Sequence, residues 1–292
     1  MADVRVPSLD RLLPPEETTL GYLLRLSRPR FWLYLAGPVV VGVAYAAETP
    51  AELFSPLALA LFAYFLLPAN VYLYGVNDIF DADIDEANPK KDDKEVRFEG
   101  GAAVILVIFA CGALGIVLAP FVGMGFVPLG LYYLLATEYS APPLRFKTTP
   151  ILDSLSNGLY ALPGVVAFSA IADTYPPLAA IAGAWLWTMA MHTYSAIPDI
   201  EPDREAGIQT TATLLGPGLA AAYCGVAWLL AAGVFALVDL RLGLLFLAYP
   251  TLLAVFELAD VDVDRAYWWY PAVNTLAGMA FTLGGLWGLL YA

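Results

Sequence analysis

The sequence predicts an all-α integral membrane protein, a bundle of about nine transmembrane helices, and three observations carry that expectation. The chain of 292 residues is 60% hydrophobic and only 14% charged, against about one-quarter charged in soluble domains. Apolar runs of about 20 residues, enough to cross a hydrocarbon core of about 30 Å, recur along almost its whole length and leave no room for a soluble domain. Gly and Pro stand inside many of these runs, as at Pro38, Pro68, Pro163 and Pro250. Membrane bundles tolerate this because neighbouring helices re-satisfy the freed backbone groups.

In chain order, residues 1–20 read as a polar N-terminal arm. They hold Asp3, Asp10, Glu16 and Glu17 beside Pro14 and Pro15, and lack the apolar core of a cleaved signal peptide. Residues 21–292 form a single transmembrane domain. Hydropathy places its spans near 31–47, 53–80, 101–119, 121–138, 151–171, 177–198, 214–238, 242–258 and 268–291. Cys111 and Cys224 both lie within apolar runs; two thiols build neither a zinc site nor a disulfide framework, and they read as packing residues.

Loops rich in Lys and Arg tend to stay in the cytoplasm. With the N-terminus cytoplasmic, the inner segments hold Arg5, Arg11, Arg25, Arg28, Arg30, Lys90, Lys91, Lys94, Arg97, Arg145, Lys147, Arg204 and Arg265, and only Arg241 falls outside. The C-terminus is then extracellular. Three polar stretches, 77–100, 138–149 and 199–213, gather on the cytoplasmic side, where a soluble headgroup can meet a membrane-buried tail.

The formal net charge of −13, with only four lysines among the 14 basic residues, argues against nucleic acid as a partner. An acidic, lysine-poor surface is a device by which halophilic proteins stay soluble, because high salt screens the self-repulsion. The composition therefore predicts a salt-loving source.

Asn77, Asp81 and Asp85 follow one another at four-residue spacing at the end of the second span. On a helix they share one face. Stacked oxygen-bearing side chains repel unless a cation sits among them, and carboxylates are ligands that Mg²⁺ prefers. The competing interpretation is a solvated acidic helix end, which suits Asp83 and Glu86. The sixth span ends in a second pair, Asp199 and Asp203, with Glu201 between and Arg204 after. Two carboxylate clusters at one rim fit a diphosphate gripped by more than one metal ion, although Pro198 and Pro202 can distort the helix here. Between them, Tyr139-Ser140-Ala141-Pro142-Pro143-Leu144-Arg145-Phe146-Lys147 is a turn presenting two cations. Arg145 and Lys147 could neutralise phosphate oxygens, or serve as ordinary positive-inside anchors. Arg28 and Arg30 invite the same pair of readings.

These motifs resemble those of the UbiA superfamily of intramembrane prenyltransferases over nearly the whole chain. The first family motif matches Asn77, Asp81 and Asp85; the second, Asp-x-x-x-Asp-x-x-x-Gly-x-x-Thr, matches Asp199, Asp203, Gly207 and Thr210. The Tyr-Ser, Pro, Arg and Lys pattern matches Tyr139, Ser140, Pro143, Arg145 and Lys147. Family members often carry Lys after the Arg of the second motif, where this chain has Glu205. The resemblance implies a nine-helix fold with a cavity open to lipid, Mg²⁺ as cofactor and transfer from an allylic diphosphate. Asp81, Asp85, Asp199 and Asp203 would be catalytic. Asn77 would join these four as metal ligands, and Arg28, Arg30, Arg145, Lys147 and Arg204 would bind diphosphate.

Aromatic faces in a dry cavity can stabilise the allylic cation left by ionisation. Tyr72, Tyr74, Tyr139, Trp185, Trp187 and Tyr194 are candidate wall residues, against plain bilayer or core packing. His192, the only histidine, lies seven residues before Asp199, and Asn70 lies seven before Asn77. Each sits about two turns deeper on its helix, lining a cavity or bonding to a partner helix.

The segments Arg28 to Pro38 and Tyr72 to Asp85 look like the carotenoid-elongating branch of that superfamily, whose haloarchaeal members act on lycopene. That resemblance implies dimethylallyl diphosphate as donor and lycopene as acceptor, on the route to C50 bacterioruberin-type pigments, with water capture leaving a tertiary alcohol. No basic residue stands within a span to pair with an acceptor carboxylate or phosphate, and a hydrocarbon acceptor needs none. Three alternatives remain at this stage: geranylgeranyl transfer to a glycerol phosphate ether, transfer to another acceptor of the superfamily, and a cation transporter whose aspartates bind passing ions.

Overall fold

The computed structural model describes residues 13–15, 18–85 and 100–291, with side chains except those of 83–85 and 290. Most of the N-terminal arm, Glu86, Lys90, Lys91, Lys94, Arg97 and the side chain of Asp85 therefore lie outside the described residues. Among the described residues all regular structure is helical. Helix α1 (Thr19–Leu26) begins where the Thr18 hydroxyl accepts the Gly21 amide at 3.0 Å, a cap that satisfies one of the orphan donors of a first turn. A 3-10 turn leads into α2 (Trp32–Ala46).

The expected single span 53–80 is two helices, α3 (Pro56–Leu66) and α4 (Pro68–Asp85). Proline cannot donate a backbone bond and crowds the preceding turn, and Leu67 leaves helical geometry at φ −127°, ψ −61°. The Asn70 amide donates to the carbonyls of Phe65 and Leu66 at 2.9 and 3.0 Å, so the bend is satisfied from within. Helices α5 (Ala102–Leu118) and α6 (Phe126–Glu138) follow. The fifth span is broken into α7 (Leu152–Ser156), a 3-10 turn and α8 (Leu162–Ala172). Then come α9 (Leu178–Ala196), the short α10 (Ile200–Glu205) and α11 (Thr211–Ala236), the last kinked at Gly216 and Pro217. Helices α12 (Leu240–Phe246), α13 (Ala248–Leu258), α14 (Val263–Tyr267) and α15 (Tyr270–Tyr291) complete the chain.

Among the described residues, six helical stretches are long and apolar enough to cross a membrane: Pro56–Ala82, Ala102–Phe121, Leu152–Ala172, Thr211–Ala236, Leu240–Leu258 and Val263–Leu289. The chain is a multi-pass membrane protein. Its outer surface carries large apolar side chains, such as Leu106, Leu229 and Leu283, that in water would cluster but in lipid need no partner.

Two packed cores divide the bundle. Leu35, Val39, Phe65, Tyr132 and Val166 belong to the N-terminal one; Tyr194, Trp228, Phe235, Tyr249 and Tyr270 belong to the C-terminal one. In the N-terminal half, α2 and α8 approach closely because both present glycine. A Cβ on Gly42 would stand 2.2 Å from the Gly164 carbonyl oxygen, the small-residue contact on which membrane helix pairs rely. Between the two cores lies a long cavity.

Candidate active site

Helix α4 runs unbroken through Asn77 and Asp81, and Asp81 is fully buried. A buried carboxylate is tolerated only when paired. Its partners come from the loop after α6: Lys147 Nζ pairs with Oδ2, Arg145 Nη2 donates to Oδ1 at 3.3 Å, and the Ser140 hydroxyl donates to Oδ2 at 3.4 Å. Arg145 also donates to the Phe80 carbonyl at 3.0 Å, while its Nε is buried with no acceptor. The backbone folds for this purpose through a left-handed residue, φ 42° at Arg145, before a 3-10 turn. The loop cations therefore converge on the first cluster instead of merely anchoring the loop.

Asp78, one residue past Asn77, was not singled out by spacing, yet it is buried and accepts from Arg28 Nη2 at 3.2 Å. The Arg28 guanidinium also stands over the Tyr74 ring, 4.5 Å from its centroid, a favourable placement of a cation on an aromatic face. Arg30 turns elsewhere. It lies 3.4 Å over the Trp268 ring and donates to the Trp268 carbonyl at 2.9 Å.

At the second cluster, Asp199 closes a 3-10 turn and Asp203 lies in α10, both partly exposed. The remainder of that motif is architectural. Gly207 adopts φ 70°, a left-handed conformation that glycine enters without strain, and Thr210 caps α11 by accepting from the Thr213 amide at 3.1 Å. Arg204 donates to exposed Glu201 at 2.8 Å and to the Thr213 carbonyl at 3.1 Å. Asp153, also unpredicted, is a buried carboxylate that accepts both the amide and the hydroxyl of Thr211. It ties α7 to the start of α11.

The cavity has a volume of about 880 Å³, near the top of the range of about 300–1,000 Å³ for small-molecule sites. Asn77, Arg28, Tyr74, Tyr139 and His192 line one part, and Tyr45, Val238 and Leu242 another. Arg28 is the one charged residue among those that line it; the rest of the wall is largely aliphatic and aromatic. Leu33, Met279 and Leu283 both line it and lie 47%, 56% and 63% exposed, so its wall reaches the lipid-facing surface. His192 Nε2 and the Tyr139 hydroxyl are 3.3 Å apart, which joins the helix before the second cluster to the loop that holds the first.

Several expected wall residues face elsewhere. Asn70 does not line the cavity because its amide is committed to the bend between α3 and α4. Tyr194 packs in the C-terminal core against Trp228 and Tyr270, at centroid distances of 5.7 and 5.2 Å. Tyr72 bonds to Thr137 at 2.8 Å, and Trp185 donates to the Leu155 carbonyl at 2.9 Å. Trp187 does line the cavity, along with Phe31, Tyr34, Tyr160 and Asn274. For Asn274 a sequence signal existed, a lone amide within an apolar span.

Asn77, Asp81, Asp199 and Asp203 offer only oxygen donors, the chemistry that Mg²⁺ selects. Among the described residues no group of three or more His, Cys, Asp or Glu is placed to hold a metal ion. Mg²⁺ commonly takes the balance of its shell from water and substrate phosphate, so this donor set fits it.

A model of the UbiA prenyltransferase family matches residues 35–265. The chain is 65% identical to a lycopene elongase/hydratase of Halobacterium salinarum over 92% of its length and 98% of that protein's. It is 60% identical to one of Haloarcula japonica, over 100% of both chains. Its fold matches a UbiA homolog from Archaeoglobus fulgidus, solved bound to DMAPP and Mg²⁺, with a TM-score of 0.72 at 21% identity, covering 90% of this chain and 98% of that one.

Proposed function

The chain belongs to the UbiA prenyltransferase family and is a prenyltransferase, and from that premise we propose that it moves a dimethylallyl group from its diphosphate to the end of lycopene. The product would feed C50 carotenoid synthesis, with water captured to leave a tertiary alcohol. Family membership sets aside cation transport.

One observation carries the choice of acceptor. The cavity that adjoins Asn77 and Arg28 is otherwise without charge among its described lining, and charged acceptors need a counter-charge in so dry a place. Its wall follows α2 from Leu33 to Tyr45, about 18 Å at about 1.5 Å per residue, room for an extended hydrocarbon. The two haloarchaeal relatives named above support the same reading.

In this proposal Asn77, Asp81, Asp85, Asp199 and Asp203 hold Mg²⁺, which when bound neutralises diphosphate oxygens and makes diphosphate a better leaving group. Arg145 and Lys147 add charge-assisted donors, and the unpartnered Nε of Arg145 is available to a phosphate oxygen. Tyr74, Tyr139 and the rings of Phe31, Tyr34 and Tyr160 face the cation that ionisation leaves. The apolar wall keeps bulk water from it.

We place nine spans by adding α2, α6 and α9 to the six stretches named above. The N-terminus is then cytoplasmic, the C-terminus extracellular, and the site on the cytoplasmic side by the Lys and Arg count. The deciding experiment supplies membranes with labelled dimethylallyl or geranylgeranyl diphosphate and either lycopene or a glycerol phosphate ether. Label in lycopene is expected; label only in the glycerol lipid overturns the acceptor assignment.

A further inference from the structure

Deep polar groups in an apolar cavity need a reason, and one set of hydrogen bonds has no part in the transfer described above, which uses only the ring of Tyr34. Tyr249 donates to Asn274 Oδ1 at 2.9 Å, and Asn274 Nδ2 donates to the Tyr34 hydroxyl at 3.1 Å. All three residues line the cavity. Because Asn274 fixes the Tyr34 oxygen as an acceptor, the hydroxyl proton of Tyr34 is left to donate, and among the described residues it has no acceptor. Trp187, whose ring lies 5.5 Å from that of Tyr249, supports the other end of this hydrogen-bond chain by directing its indole N–H to Tyr249.

The chain is also close to where bonds change. The Tyr34 ring is 5.1 Å from Phe31 and 6.2 Å from Tyr160, and Phe31 is 6.5 Å from Tyr74, the ring beneath Arg28. Tyr74 precedes Asn77 by less than one turn of α4.

Resting on the proposed transfer to a polyene end, we infer that Tyr34 and Asn274, with Tyr249 fixing the orientation of Asn274, hold the water that converts the product cation into an alcohol. When the terminal double bond of the acceptor takes the prenyl group, one carbon–carbon bond forms and a tertiary cation remains on the acceptor. Water oxygen attacks that carbon, forming a carbon–oxygen bond, and the oxonium proton leaves to the diphosphate released by the transfer. If no water is held, the same diphosphate takes a proton from a neighbouring carbon, and an alkene of equal carbon number results. The hydrogen-bond chain thus sets which of two products is made. Tyr34 donates to the water, which leaves a lone pair for the cation.

The test reads the ratio of alcohol to alkene among prenylated carotenoids in lycopene-producing cells, with H₂¹⁸O marking the oxygen. Slower turnover from a purely structural defect would leave that ratio alone. Tyr34→Phe and Asn274→Leu are each expected to lower it about tenfold, and Tyr249→Phe by less, as loss of one positioning hydrogen bond implies. An unchanged ratio in Tyr34→Phe, which removes a single oxygen, overturns the inference and decides alone if Asn274→Leu fails to accumulate. Wild-type protein that prenylates lycopene but yields only alkene also overturns it, leaving the transfer reading intact. Wild-type protein that prenylates no carotenoid overturns both.

Discussion

Lys147 pairs with the fully buried carboxylate of Asp81, 66 residues earlier in the chain. That contact binds the first aspartate cluster to the loop between α6 and α7 and makes charge balance there a shared property. Asp81→Asn is expected to abolish prenyl transfer. Lys147→Met is expected to lower transfer sharply and to destabilise the fold by about 1–3 kcal/mol, because a buried acceptor loses a charged donor. Thermal unfolding in detergent, beside turnover, measures both.

In the proposed function, the second motif divides into chemical and architectural residues. Asp203→Ala is expected to abolish transfer. Thr210→Ala removes the cap of α11 and should cost about 1 kcal/mol, with Thr210→Ser close to wild type. Gly207→Ala should cost about 1–2 kcal/mol through its left-handed backbone, since a Cβ there meets no neighbour. Unfolding midpoints of the purified variants check this order.

His192 and Asn70, at matching depth on their helices, should behave differently. His192 lines the cavity beside Tyr139, so His192→Ala is expected to change turnover or product profile. Asn70→Ala is expected to lower the unfolding midpoint, because it exposes two carbonyls at the bend, and to leave the product distribution as it was. A changed distribution in Asn70→Ala would contradict the placement.

Gly37 lies in the cavity wall, and a Cβ built there meets no atom within 4 Å. Gly37→Leu is therefore expected to fill space that the proposal gives to the acceptor. The apparent KM for acceptor should rise about tenfold, the scale of a few buried methylene groups, while the KM for the prenyl diphosphate stays within twofold. Steady-state kinetics with each substrate varied separately tests this.

Much of this was legible in the sequence because it is local. Apolar run length depends on neighbours along the chain, and four-residue spacing put Asn77 and Asp81 on a single helix. Pro68 already announced the break between α3 and α4, yet the use of Asn70 to mend it was not readable, since lining and mending call for the same polar residue at the same depth. Rotation about a helix axis decided the aromatics: Trp187 reaches the cavity while Trp185, two residues earlier, bonds to Leu155. Contacts such as Asn274 with Tyr34, 240 residues apart, follow from packing alone.

In the proposed function, the aspartate clusters discharge a prenyl diphosphate beside a cavity whose described lining holds Arg28 as its one charged residue and which takes a carotenoid end. The most direct measurement is product analysis after expression of the chain in lycopene-producing cells, with Asp81→Ala and Asp203→Ala in parallel. C45 and C50 carotenoids from the wild type, and unmodified lycopene from both variants, are the predicted result. Unmodified lycopene from the wild type, or normal elongation by either variant, would contradict it.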